Sequence, residues 1–66
     1  MNFFAELRQK FIKETLIQNG FVGRSDIINH FGIGEATATR DITHYRKNNK
    51  DIKYNVTNKR YEMIKN

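Results

Sequence analysis

The sequence predicts a mainly α domain closed by a small β-hairpin, and three observations carry that expectation. A helical run reaching about Asn19 stops at Gly20. Two shorter helical stretches are joined by Gly32-Ile33-Gly34. Beyond Lys47, apolar and polar residues alternate with period two in two short runs. Helix, helix-turn-helix and hairpin in that order make a winged helix-turn-helix, three helices with a wing of two or three strands.

Sixty-six residues allow one small domain, spanning 1–66. A chain of this length buries only about 60% of the surface its unfolded form exposes, so the core is modest. No cysteine is present to add a disulfide or a thiolate metal site. Five Phe and three Tyr still favour a folded domain over a disordered segment. No apolar run approaches the roughly 18 residues of a membrane span, and the start of the chain lacks a signal-peptide core, so an intracellular protein is expected. Twelve Lys and Arg against seven Asp and Glu give a net charge of +5 and a pI near 9.8. Such a charge attracts polyanions at long range and also keeps a small domain soluble, so its placement decides between the two.

The first helix is expected from Phe3 to about Asn19, with Asn2 as N-cap and Gly20 at the exit. Phe4, Leu7 and Phe11 fall on one predicted buried stripe, widened by Ile12 and Leu16. Glu6 and Lys10 form an i,i+4 pair of favourable order on the wet side. Phe3 and Phe4 together carry more aromatic surface than a small domain easily hides, so either a partner covers them or they stay partly exposed. Phe21-Val22 can supply a short third strand.

A short helix follows from Arg24 to Phe31, with Gly23 or Ser25 as cap and Asp26 in its first turn, where a carboxylate suits the positive helix end. Ile27, Ile28 and Phe31 form its apolar face. Gly32 ends it in the left-handed conformation, and Ile33 plugs the space between the two helices. Gly34 opens the next helix, about residues 35–47. There Ala38, Ile42 and Tyr45 share the inward side. Rotation by 100° per residue puts Ala36, Thr39, Arg40, Thr43 and Lys47 on the outward arc.

In the tail, Ile52-Lys53-Tyr54-Asn55 and Arg60-Tyr61-Glu62-Met63-Ile64 read as strands around the turn Val56-Thr57-Asn58-Lys59. Ile52, Tyr54, Tyr61 and Met63 are expected to face the core. Lys53, Lys59, Arg60 and Lys65 are expected to face solvent or nucleic acid. Such a hairpin is barely stable alone and must pack on the helices.

The run FGIGEATATRDITHYRK, Phe31 to Lys47, resembles the recognition segment of DeoR-type winged-helix repressors. Their pattern is a small or hydroxyl residue, Glu, two to four variable residues and Arg-Asp-Leu; here Gly34-Glu35 precede Arg40-Asp41-Ile42. Tyr45, with Lys53-Tyr54 and Tyr61 in the hairpin, is similar to the N-terminal domain of WYL-domain transcriptional regulators, particularly those associated with phage defence. The resemblance covers roughly residues 8 to 64. It implies a bacterial or phage DNA-binding regulator of the cytoplasm, a repressor by preference. It further implies a C-terminal sensor domain missing here, so either an excised domain or a very small stand-alone regulator is expected. Gly34 departs from the usual Ser or Thr, which removes a side-chain cap and a hydroxyl contact to phosphate.

Enzymatic chemistry finds no inventory. His30 and His44 are the only histidines, without cysteine or a carboxylate cluster to complete a metal site, so neither metal nor cofactor is expected. Asp26 and Asp41 suit capping and salt-bridging better than acid–base work. Gly32-Ile33-Gly34 does not follow a strand and is no nucleotide loop.

Binding of double-stranded DNA uses what is present. Arg40 is the first candidate for a base contact, its fork matching guanine O6 and N7, with a phosphate clamp as the competing role. Thr37 and Thr39 suit bases or a thymine methyl, and Ala36 shares their arc. Thr43, Arg46 and Lys47 reach for the backbone. Glu35 either accepts from a cytosine amine or serves the helix dipole. Arg24 and Ser25 are phosphate candidates, as is His44. Lys59 and Arg60 near the wing tip suit a minor groove or phosphates. A homodimer on a pseudo-palindrome is expected, since one such domain covers few base pairs. The competing readings are a protein-interaction module using the aromatic first helix, and an RNA reader.

Overall fold

A computed structural model describes residues 2–64. Lys65, expected at the basic surface, lies outside them. The order is α1 (Phe3–Asn19), β1 (Phe21–Val22), α2 (Arg24–Phe31), α3 (Glu35–Asn48), β2 (Ile52–Asn55) and β3 (Arg60–Met63). This is the expected winged helix-turn-helix, and its wing takes the three-stranded form.

The caps explain where the helices begin and end. The Asn2 side chain accepts from the Ala5 N–H at 2.8 Å, closing the start of α1. Gly20 at φ 82° and Gly32 at φ 67° end α1 and α2 in the left-handed region, where a side chain is strained. Gly23, rather than Ser25, is the N-cap of α2: the Asp26 carboxylate reaches back to accept from the Gly23 N–H at 2.8 Å. Gly34 caps α3 with backbone alone, as expected.

The sheet is antiparallel in the order β1-β3-β2, with Phe21 opposite Glu62, Val22 opposite Tyr61 and Ile52 opposite Met63. Pairing with β1 supplies the packing a lone hairpin lacks. Its inner face contributes Val22 and Ile52 to a core completed by Ile12, Leu16, Ile27, Ala38 and Ile42. Phe11, Ile28, Phe31, Ile33, Tyr45 and Tyr61 pack around that cluster. Burial of Ile12, Val22 and Ile27 stabilises by about 1.5–3 kcal/mol each.

Several expectations change. Phe4 and Leu7 are 68% and 39% exposed, so the predicted stripe of α1 is buried only from Phe11 onward. Phe3 and Phe4 instead meet edge to face at 5.6 Å between ring centres. Lys10 pairs with Glu14 rather than Glu6, at 4.0 Å. Tyr54 and Met63 lie on the inner side of the sheet but near its rim, and both are exposed. The Tyr54 ring leans on Tyr61 at 4.8 Å.

Candidate nucleic-acid interface

The outward arc of α3 exists because its inward arc is narrow. Ala38 and Ile42 are buried, and the small Ala38 lets the helices approach closely. That leaves Glu35, Ala36, Thr39, Arg40, Thr43, Arg46 and Lys47 exposed, with Thr37 half-buried. Asp41 is the one buried charged residue among those described, and it faces inward beside Ala38 and Ile42. Its carboxylate pairs with Arg8 of α1, Nε to Oδ2 at 2.5 Å, the two side chains 15% and 9% exposed. The expected salt bridge of Asp41 therefore spans from α3 to α1.

Contacts between elements draw the other candidates towards α3. Arg24, at the start of α2, donates from Nη1 to the Thr39 Oγ1 at 3.2 Å. Its neighbour Ser25 is exposed, beside the buried Gly23. A Cβ on Gly23 would stand 3.9 Å from the Lys59 carbonyl, so the wing turn passes over the start of α2. Thr39, Arg24 and the main chain of Lys59 are thus brought near one another. Farther along, the Arg46 guanidinium lies over the Tyr61 ring at 5.5 Å, tying the end of α3 to the wing. Thr43, Arg46 and Lys47 share a shallow depression with Lys50 and Ile52.

Lys59 and Arg60 part company. Lys59 is exposed in the turn at φ 53°, a left-handed backbone uncommon outside glycine. Asn55 braces that turn, its Oδ1 accepting from the Asn58 N–H at 3.0 Å. Arg60 is turned away onto the outer sheet surface, where its Nε meets the Glu62 Oε2 at 2.8 Å and its guanidinium covers the Phe21 ring at 3.8 Å. The expected free cation at the wing tip is therefore Lys59 alone of this pair. Period two puts Arg60, Glu62, Lys53 and Phe21 on one side of the sheet, and the aromatic ring captures the arginine. Hydrogen bonds from Arg60 and Asn55, and the positive Lys53 nearby, hold the Glu62 carboxyl below its ordinary value.

At the far end of α3, the Tyr45 hydroxyl is pushed upward by burial and by the nearby negative Asp51. The Asn49 side chain donates to the Tyr45 carbonyl at 3.0 Å. His44 is exposed on α3, while His30 stacks on Phe11 at 4.3 Å and serves packing. No helix among the described residues is long and apolar enough to cross a membrane.

Sequence reasoning passed over Lys50 and Arg8. Lys50 lies between the predicted third helix and the first wing strand, where the sequence predicts no element. A signal for Arg8 existed: a carboxylate three residues after Ala38, on the inward arc, calls for a cation from whichever helix packs there.

Residues 5–66 match the family described as the BrxR transcriptional regulator winged helix-turn-helix domain. The chain matches no curated protein.

Proposed function

The chain belongs to the BrxR transcriptional-regulator winged helix-turn-helix family, and from that premise we propose that it binds double-stranded DNA sequence-specifically and represses transcription. In this reading the DeoR- and WYL-like recognition segment places α3 in a major groove. Arg40 reads a base, Thr37 and Thr39 assist it, and Ala36 leaves room for a thymine methyl. Thr43, Arg46 and Lys47 grip the backbone, together with Arg24, Ser25 and Lys50. Lys59 follows a phosphate or enters the neighbouring minor groove. Glu35 serves the positive end of α3. Two copies engage a pseudo-palindrome.

One observation carries the proposal: most of the described cations without a carboxylate partner gather on the side of α3. Among the described residues, Arg24, Arg40, Arg46, Lys47, Lys50 and Lys59 make no salt bridge and lie on or beside α3. Lys13 on α1 and Lys53 on the outer sheet face are also unpaired, whereas Arg8, Lys10 and Arg60 are paired with carboxylates. Six unpaired cations on one side of the domain present a patch suited to phosphate.

Titration of the chain with a random-sequence duplex, followed by amide NMR shifts, tests the reading. Shifts are expected along α3, at Arg24 and Ser25, and in the Val56–Lys59 turn. Shifts confined to α1 would refute it and favour a protein-binding role for Phe3 and Phe4.

A further inference from the structure

We infer that Arg8, which lies on α1 outside the helix-turn-helix, is a positioning residue that sets the roll of α3 and thereby the sequence preference of Arg40. The inference rests on the proposed docking of α3 in a DNA groove.

The apolar contact between α1 and α3 runs through the cluster containing Ile12, Ala38 and Ile42. Hydrophobic contact is non-directional, so the apolar stripe sets which side of α3 is buried but resists small rolls about the helix axis only weakly. The polar contacts supply that direction. Arg8 meets the Asp41 carboxylate with both Nε and Nη2, at 2.5 and 3.4 Å. The next residue of α1, Gln9, donates from Nε2 to the Asp41 main-chain carbonyl at 2.8 Å. One residue of α3 is thus held by side chain and by backbone from two successive positions of α1. Charge-assisted bonds of this kind carry orientation as well as energy.

Asp41 is the residue next to Arg40, and both border the same depression at the start of α1, together with His44. Fixing the azimuth of Asp41 therefore fixes the angle at which Arg40 leaves the helix. With side chains, a helix has a radius of roughly 5–6 Å, so a 10° roll moves an outward head by about 1 Å. That displacement spans the hydrogen-bond window of a bidentate base contact. A phosphate contact by a flexible lysine tolerates it. Loss of the clamp should therefore erode sequence preference while sparing general affinity.

The test compares the native chain with Arg8→Lys and with the double variant Arg8→Met/Asp41→Leu, which replaces the ion pair by apolar groups of similar size. Each is run through selection on a randomised duplex library, binding to one fixed random duplex at several salt concentrations, and thermal melting. The double variant is expected to melt like the native chain, since an apolar pair substitutes for a buried ion pair without loss. It should keep its affinity for the fixed duplex and its salt slope. Its strongest base preference should fall about tenfold, within the 1–3 kcal/mol a bidentate contact provides. Arg8→Lys keeps the charge but not the fork, and should lie between. It carries the comparison if the double variant does not fold.

Enrichment of the same sequences at native strength by both variants would reduce the pair to packing and overturn the inference. A salt slope lower by about one ion in the double variant would make Arg8 a phosphate contact, with the same consequence. If the native chain binds the fixed duplex but enriches no sequence, the specific-binding proposal itself falls. If it binds no duplex, the DNA reading falls.

Discussion

Salt dependence offers the most direct measure of the proposed interface, because its size follows from which cations are free. Among the described residues, six lie on the α3 side without a carboxylate partner: Arg24, Arg40, Arg46, Lys47, Lys50 and Lys59. With about 0.9 counterions released per phosphate contact, six contacts would give a slope near −5.4 and four a slope near −3.6. A fourfold rise from about 50 to 200 mM salt then weakens binding by roughly 150- to 1,800-fold for one domain. Lys59→Asn removes one of these charges while suiting the left-handed backbone at φ 53° better than lysine does. It should flatten the slope by about 0.9, so that the same salt rise costs about 3.5-fold less affinity. Lys10→Gln lowers net charge equally, but its ammonium already sits by Glu14 on α1, and it should leave the slope unchanged. Fluorescence anisotropy with a labelled random duplex at five or six salt concentrations measures all three. Equal slope changes for the two variants would show that net charge alone acts and would refute the placed interface. So would a native slope shallower than about −1.

The remaining predictions test single features. Arg40→Ala should cost about 1–3 kcal/mol on a selected sequence and much less on random duplex; equal losses would assign Arg40 to the backbone. Gly32→Ala meets no neighbour within 4 Å, so its cost is conformational, about 1–2 kcal/mol at φ 67°, read as a lower urea midpoint. Gly34→Ser at the uncapped start of α3 should instead stabilise by a few tenths of a kcal/mol. Glu62 is held below its ordinary value by Arg60 and Asn55, so its contribution is present above the ordinary carboxylate range and disappears as pH falls through its lowered value. Melting of the native chain should therefore drop more steeply on acidification than that of Glu62→Gln, and parallel pH profiles would contradict the wing contacts.

Elements, caps and the inward–outward division of α3 were legible in the sequence because each has a local cause. Glycine at a left-handed exit, asparagine before a helix and period-two alternation act over a few residues. What escaped was decided by where elements end in space. Helical periodicity marked Phe4 and Leu7 as core, yet α1 of 17 residues is about 25 Å long, and its first turns pass beyond what α2, α3 and the sheet cover. Arg60 looked like a wing-tip cation because the turn could be read but not the aromatic ring opposite. Only the pairing of β1 with β3 brings Phe21 beneath it. Asp41 was legible as a salt-bridging residue but not as one 33 positions from its partner.

The division of charge also bears on how many copies act together. Within the proposal, one domain offers a single forked base reader, Arg40, with threonines of which Thr39 already shares its hydroxyl with Arg24. One bidentate contact discriminates by about 1–3 kcal/mol, whereas specific regulators exceed their non-specific binding by roughly 4–10 kcal/mol. A second copy doubles the readout without asking more of either helix, and it doubles the backbone contacts too. The salt slope on a selected palindromic site should then approach twice that on a duplex long enough for one domain only. An unchanged slope would mean that a single domain does the reading, and specificity would have to come from the shape of the DNA instead.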